Sequence, residues 1–246
     1  GDVSGFLVLR SRKACRNDLP PGMSLVRGAE ISCVSDGISL HLLAYLFDPA
    51  EPAFAARRRE LRESRVGRAE KMAQLLEAAG TGVTWARVQE IAQGTIGRPH
   101  VAQALIEQGH VGSVTEAFAP EWIGTGGRYD VDKLELDVLE AVRLVVDAGG
   151  VAVFAHPSAT SRGRTVGDSV IGEMAAAGLG GLEVDHVDHD EDARAHLRGL
   201  AGELGLLTTG SSDFHGTAKT VRLGAHTTSE QAYERIVAAA TGVPVL

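Results

Sequence analysis

The sequence predicts an α/β protein, built from repeated helix–strand units around a parallel sheet or barrel. From residue 134 onward, helical and strand-like patterns alternate with short connections. Polar residues gather at the C-terminal ends of the strand patterns, where the chemistry of an α/β barrel sits. The length of 246 residues suits one large α/β barrel or a domain carrying an insertion.

Composition narrows the function. Hydrophobic residues make up 44% of the chain, enough for a substantial core. The net charge is -8, from 24 basic and 32 acidic residues, which argues against a broad basic face for duplex DNA and leaves room for a local basic pocket. Cys15 and Cys33 make neither a disulfide framework nor a zinc cluster, so a reducing, cytoplasmic setting is expected. No apolar run reaches membrane-spanning length. Gly1 to Arg10 does not read as a signal peptide. The first methionine is Met23, so the natural N-terminus is expected upstream of Gly1.

The elements follow in order. Phe6 to Leu9 is a short apolar piece, Arg10 to Arg16 is basic, and Pro20-Pro21-Gly22 is a breaker. Met23 to Ser32 reads as a strand carrying Glu30. Asp36-Gly37 signals a hairpin turn, and Ile38 to Phe47 is a second strand with His41 inside it. Each polar residue has two readings: a solvated carboxylate or a ligand for Glu30, a packed core imidazole or a ligand for His41.

Residues 51–79 read as one long helix with a basic first half, in which Arg58, Arg62 and Arg65 share a face. Most of these arginines read as a solvated face, with one or two able to reach a phosphate. Gly80 to Gly82 ends the helix. Shorter helices follow near 84–92, 99–108 and 113–119. Pro99 opens one of them and sets Arg98 and His100 beside a helix N-terminus, a natural anion site. Gly124 to Gly127 looks like a link back to the main domain. Residues 1–50 with 128–246 are thus expected to form the α/β domain, and residues 51–127 a helical insertion.

The regular part runs helix 135–148, strand 150–155, helix 168–177, strand 181–185, helix 190–204, strand 205–210 and helix 230–240. The first strand ends in His156-Pro157 and the second in Asp185-His186. The third runs into Gly210-Ser211-Ser212-Asp213-Phe214-His215. Asp213 and His215 are two apart, so they converge on one ligand if the extended conformation persists. A mix of imidazole and carboxylate on five strand-borne residues (Glu30, His41, His156, Asp213 and His215) suits Mn, Fe or Zn, and more than one ion. His186 and His189 lie at another strand end and read equally well as rim residues or as functional ones.

Gly28-Ala29-Glu30-Ile31-Ser32, His41-Leu42-Leu43, Ala155-His156-Pro157 and Gly210-Ser211-Ser212-Asp213-Phe214-His215 together resemble the PHP (polymerase and histidinol phosphatase) superfamily. Order and spacing match from about residue 19 to the C-terminus. The insertion with Ile96-Gly97-Arg98-Pro99-His100 is similar to that of one branch, small bacterial phosphoesterases acting on nucleoside 3′,5′-bisphosphates or, 5′ to 3′, on short RNA. The resemblance implies a distorted (β/α)7 barrel with up to three divalent ions. It implies Glu30, His41, His156, Asp213 and His215 as metal ligands, with His156, Asp213 and His215 at the catalytic centre. Arg98 and His100 would hold substrate phosphate, with Arg65 a further candidate. The expected substrate is a small phosphorylated nucleotide or short RNA.

The sequence departs from the family at its start. The family opens with a strand bearing His-x-His and a second ending in Thr-Asp-His, and no histidine precedes His41 here. Two barrel strands and several ligands are therefore expected to be missing from this chain, with weaker metal binding as the consequence. The leading expectation is a phosphoesterase using a metal-activated hydroxide. The alternatives are a catalytically silent module that binds a nucleotide or partner, and a histidinol-phosphate phosphatase, against which the Arg98-to-His100 segment argues.

Overall fold

The computed structural model describes residues 23–92, 94, 96–214 and 221–246. The expectations for residues 1–22, Cys15 among them, and for His215 lie outside the described residues. Within them the chain is a mixed α/β protein with five strands and eight α-helices. It divides into two compact units, residues 57–135 and residues 23–56 with 136–246.

The larger unit is built on one sheet in the order β1-β2-β3-β4-β5. The strands are β1 (Gly28–Ser35), β2 (Ile38–Tyr45), β3 (Val151–Phe154), β4 (Gly181–Asp185) and β5 (Leu207–Gly210). β1, β2 and β3 pair antiparallel; β3, β4 and β5 pair parallel. The sheet is therefore mixed, and only its second half has the parallel pairing that the helix–strand repeats suggest. β1 begins five residues later and ends three residues later than the sequence pattern, so Glu30 lies in its first half.

The β1–β2 turn is Asp36-Gly37, with φ of 46° and 71°. Both residues are left-handed, as the tightest hairpin turn requires, and glycine takes the second at no steric cost. That turn fixes the register: Ser32 faces His41 and Glu30 faces Leu43. Glu30 and His41 are thus diagonal neighbours on one face of the hairpin.

Helix α5 (Val138–Asp147), capped by the Asp137 side chain, packs on β1, β2 and β3. Helix α7 (Glu191–Leu204) runs from the Asp190 cap to Gly205 at φ 68° and covers β4 and β5. Helix α6 (Asp168–Ala176) lies against α5 and α7, and α8 (Glu230–Ala239) against β5. β3 is buried along its whole length, as a central strand covered by helices should be.

The smaller unit has its own apolar core. α1 (Pro52–Ala78) contributes Ala69, Met72, Ala73 and Leu76, one stripe at helical spacing, while Leu75 points to solvent. α2 (Trp85–Ile91), α3 (Arg98–Glu107) and the short α4 (Val114–Ala117) close over it with Val88, Val101, Leu105 and Ala117. Arg68 reaches from α1 to the carboxylate of Asp130 at 2.6 Å and to the Val131 carbonyl, tying down the segment after α4. None of the described helices is long and apolar enough to cross a membrane.

Candidate metal centre

Three side chains meet beside the hairpin. His41 Nδ1 is 2.7 Å from Glu30 Oε1 and 3.3 Å from His156 Nε2, and His156 Nε2 is 3.7 Å from Glu30 Oε1. Among the described residues these are the three whose donor atoms group closely enough to hold a metal ion. A triangle with sides of 2.7, 3.3 and 3.7 Å has a point about 2 Å from every corner, close to the ~2.0–2.2 Å typical of nitrogen and oxygen bound to zinc. The two imidazoles, His156 first and His41 second, hold the Glu30 carboxyl well below the usual carboxylate range against the opposing effect of burial. It is therefore an anion and an acceptor at neutral pH. Two imidazoles and a carboxylate are a donor set for Mn, Fe or Zn.

His156 reaches this cluster because the backbone turns. In β3, Phe154 faces Leu42, and the Ala155 N–H donates to the His41 carbonyl at 3.1 Å. Continued extension would place Ala155 on the His41 face and His156 on the other. Instead His156 adopts φ 32°. Such a conformation is costly for a residue with a Cβ and persists only when its surroundings impose it. Glu183 is one such surrounding group. It is buried on β4, accepts the His156 N–H at 2.8 Å, and takes the Ser211 hydroxyl at 2.7 Å with its other oxygen.

Asp213 lies past the end of β5 and also has positive φ, 45°. The strand stops at Gly210, where a Cβ would fall 2.7 Å from that of Asp185 and 2.8 Å from the Thr227 carbonyl. The expectation that extended geometry carries Asp213 and His215 to one side is thus not met at Asp213. The chain has already left the strand, and His215 lies outside the described residues. Asp213 Oδ2 accepts from Arg162 Nη2 at 2.7 Å, and Arg162 Nε donates to Asp188 Oδ2 at 2.6 Å. Burial opposes ionisation of Asp188, but the Arg162 guanidinium outweighs it and keeps that carboxyl below its ordinary value.

His186 and His189 are not rim residues. His186 is fully buried and His189 nearly so, because both fold inward at the end of β4. The His186 ring is 5.3 Å from that of His156, and its Nε2 is 3.6 Å from Asp213 Oδ2. His189 accepts the Ser158 N–H on Nε2 at 3.2 Å and pairs with the Val184 carbonyl through Nδ1 at 2.8 Å. Burial draws the His189 pKa down. Cys33 is buried, and burial pushes its thiol up to about 12.

In the smaller unit Arg98 and His100 lie in the first turn of α3, and Arg65 of α1 passes beside Gly97. His100 Nδ1 accepts the Gly97 N–H at 3.1 Å, the Arg98 guanidinium lies 5.0 Å over the Phe118 ring, and a Cβ on Gly97 would sit 3.5 Å from Arg65 Cδ. An arginine and a histidine in the first turn of a helix are residue types that suit an anion.

No family model matches the chain. A 3′,5′-nucleoside bisphosphate phosphatase of Chromobacterium violaceum is 32% identical over 232 residues, covering 92% of this chain and 78% of the relative. The chain belongs to the PHP superfamily.

Other similarities agree with that membership. The 5′-3′ exoribonuclease of Haemophilus influenzae is 29% identical over 203 residues, 82% of this chain and 74% of the enzyme. A solved structure from Bifidobacterium adolescentis, assigned as a metal-dependent phosphoesterase, superposes with a TM-score of 0.72 at 32% identity, covering 88% of this chain and 77% of that one. Within this PHP protein, sequence reading missed Glu183, Arg162 and Asp188. A lone acid in the apolar run Leu182-Glu183-Val184 was the available sign for the first. Arg162 ends a single 3₁₀ turn (Thr160–Arg162) and Asp188 lies in a loop, neither with a periodic pattern, and only the fold brings them to Asp213.

Proposed function

We propose that this PHP protein hydrolyses phosphate esters of nucleotides, either nucleoside bisphosphates or short 5′-phosphorylated RNA. Its metal-binding domain would be a distorted (β/α)7 barrel of residues 1–50 and 128–246, with residues 51–127 as a helical insertion. The observation that carries the reading is the convergence of Glu30, His41 and His156 on one point, in a chain that also carries Arg98 and His100 in the first turn of a helix, beside Arg65. The first group is built of acceptors for a cation, and the second of donors for a phosphate.

Glu30, His41, His156, Asp213 and His215 would hold divalent ions, Mn, Fe or Zn and up to three of them. Bound there, such ions supply hydroxide at neutral pH and offset charge on the phosphoryl oxygens. Glu30 is ionised and accepts from His41, so it keeps that imidazole turned toward the centre. Glu183 holds the His156 backbone in its turned conformation, so the imidazole is aimed before any ligand arrives. Arg98 is steadied by the Phe118 ring and offers two parallel N–H groups to a phosphate. His100 accepts the Gly97 N–H on Nδ1, which leaves Nε2–H to donate. No covalent nucleophile is needed; the Ser212 hydroxyl is engaged with the His226 backbone.

The test is turnover by the manganese-loaded protein on a nucleoside 3′,5′-bisphosphate and, separately, on a short 5′-phosphorylated RNA. Phosphate release from the first or mononucleotide release from the second is expected. Absence of both would overturn the reading in favour of a silent binding module.

A further inference from the structure

Arg162 bridges two carboxylates at the edge of the strand-end cluster. Its Nε donates to Asp188 and its Nη2 to Asp213. The guanidinium thereby does for the Asp213 carboxylate what a bound cation would do, and its charge competes with that of an incoming cation for the same group. A second observation shows where Asp213 can go instead. His186 Nδ1 accepts the Asp188 N–H at 3.1 Å, so the ring proton resides on Nε2. That Nε2 is buried and has no hydrogen-bond partner among the described residues. It stands 3.6 Å from Asp213 Oδ2, too far for a hydrogen bond and near enough for a small side-chain rotation to close. Buried donors in folded proteins are rarely left unpaired, and one beside a displaceable carboxylate marks a second resting place for it.

We infer that Arg162 is a displaceable counter-ion. It holds Asp213 in the cation-free chain, yields it to an incoming divalent cation, and then offers its freed Nη edge to the phosphate of the substrate. On leaving Arg162, Asp213 Oδ2 takes the His186 Nε2–H and its other oxygen faces the cation. Asp188 keeps Arg162 Nε throughout, so the guanidinium stays anchored. The inference rests on reading Asp213 as a metal ligand.

Manganese is titrated calorimetrically into metal-free wild type, Arg162→Gln and Asp213→Ala, and inorganic phosphate is then titrated into the manganese-loaded proteins. Losing a charge-assisted competitor should let Arg162→Gln bind manganese about tenfold more tightly, and phosphate about tenfold more weakly. A merely structural arginine would weaken both. If Arg162→Gln does not fold, Arg162→Lys serves. One ammonium cannot span both carboxylates, so it should shift both affinities the same way by less. Manganese bound no more tightly by the Arg162 variant, or phosphate bound as well as by wild type, overturns the inference while a metal-poor Asp213→Ala leaves the ligand assignment standing. A fully metallated Asp213→Ala overturns the ligand assignment itself, and the Arg162 inference with it.

Discussion

Around Glu30, His41 and His156, potential metal-ligating atoms converge; in the first turn of α3, Arg98 and His100 stand beside Arg65 of α1. The first group comes from three strands or strand ends and depends on a residue held at positive φ. The second comes from two helices, and its backbone is ordinary. The contrast follows from what each secondary structure has to spare. A helix N-terminus already presents unpaired N–H groups, so two arginines need only be added. A strand has its backbone groups paired in the sheet, so a cation site must be assembled from side chains, and aiming those side chains takes strained turns. The cation group should therefore be the more fragile to single changes, and the anion group the more graded.

Replacing His156 by Ala gives the largest expected effect. It removes one of three converging donors, so metal affinity should fall by at least about 100-fold, with turnover lost alongside. Metal per chain by mass spectrometry checks this; a fully metallated variant would break the contrast outright. Arg98→Ala should leave metal content unchanged. It should lower kcat/KM by about 10- to 100-fold on a substrate with a second phosphate, and much less on a simple phosphomonoester. Equal losses on both would move Arg98 to the reacting phosphate.

Glu183→Ala sharpens the claim about strain. It leaves the part-buried His156 N–H without its partner, which should cost about 1–2 kcal/mol of stability in denaturant titration and about tenfold in metal affinity. Stability lost with metal affinity intact would mean that the turn at His156 holds without Glu183.

The smallest effect concerns the donor-bearing unit alone. Burial opposes ionisation of Asp130, yet the Gly126 N–H and the Arg68 guanidinium hold its carboxyl below the ordinary value. A depressed carboxyl contributes stability that is present above the unfolded-state pKa of about 3.9 and is lost as pH falls through the folded value. Asp130→Asn should therefore lower stability at pH 7 by about 1–2 kcal/mol and make it less sensitive to acid. Both tryptophans of the chain, Trp85 and Trp122, lie in residues 57–135, so their fluorescence reports this unit alone. A variant with an unchanged acid transition would show that the Arg68 pair is not what acid breaks.

Much of this arrangement was legible in the sequence. The Asp36-Gly37 signal locates the hairpin because few residue pairs accept two positive φ angles in succession. The helix–strand alternation after residue 134 is visible because buried parallel strands read as apolar runs between capped helices. Glu30, His41 and His156 stand out as polar residues in such runs. What could not be read depends on contacts distant in sequence. The His156 N–H is met by Glu183, 27 residues on, and the Asp213 carboxylate by Arg162, 51 residues back. His186 and His189 sit in a polar stretch that resembles a solvated loop, and only the packing of the β4 end buries them. The start of β1 was misplaced because Met23 to Arg27 is as apolar as many strands, although pairing with β2 begins only at Gly28.

The Asp36-Gly37 turn has a consequence well away from itself. Side chains alternate along a strand, so a hairpin closed one residue out of step would turn either Glu30 or His41 to the far face, with no intermediate arrangement. Metal capture would then act as a proofreader for the hairpin: a correctly closed chain gains the ion's binding energy, and a slipped one gains almost none. Two residues outside the candidate site would thus decide whether its three donors meet at all. Lengthening the turn by one residue should abolish the site as completely as deleting His41.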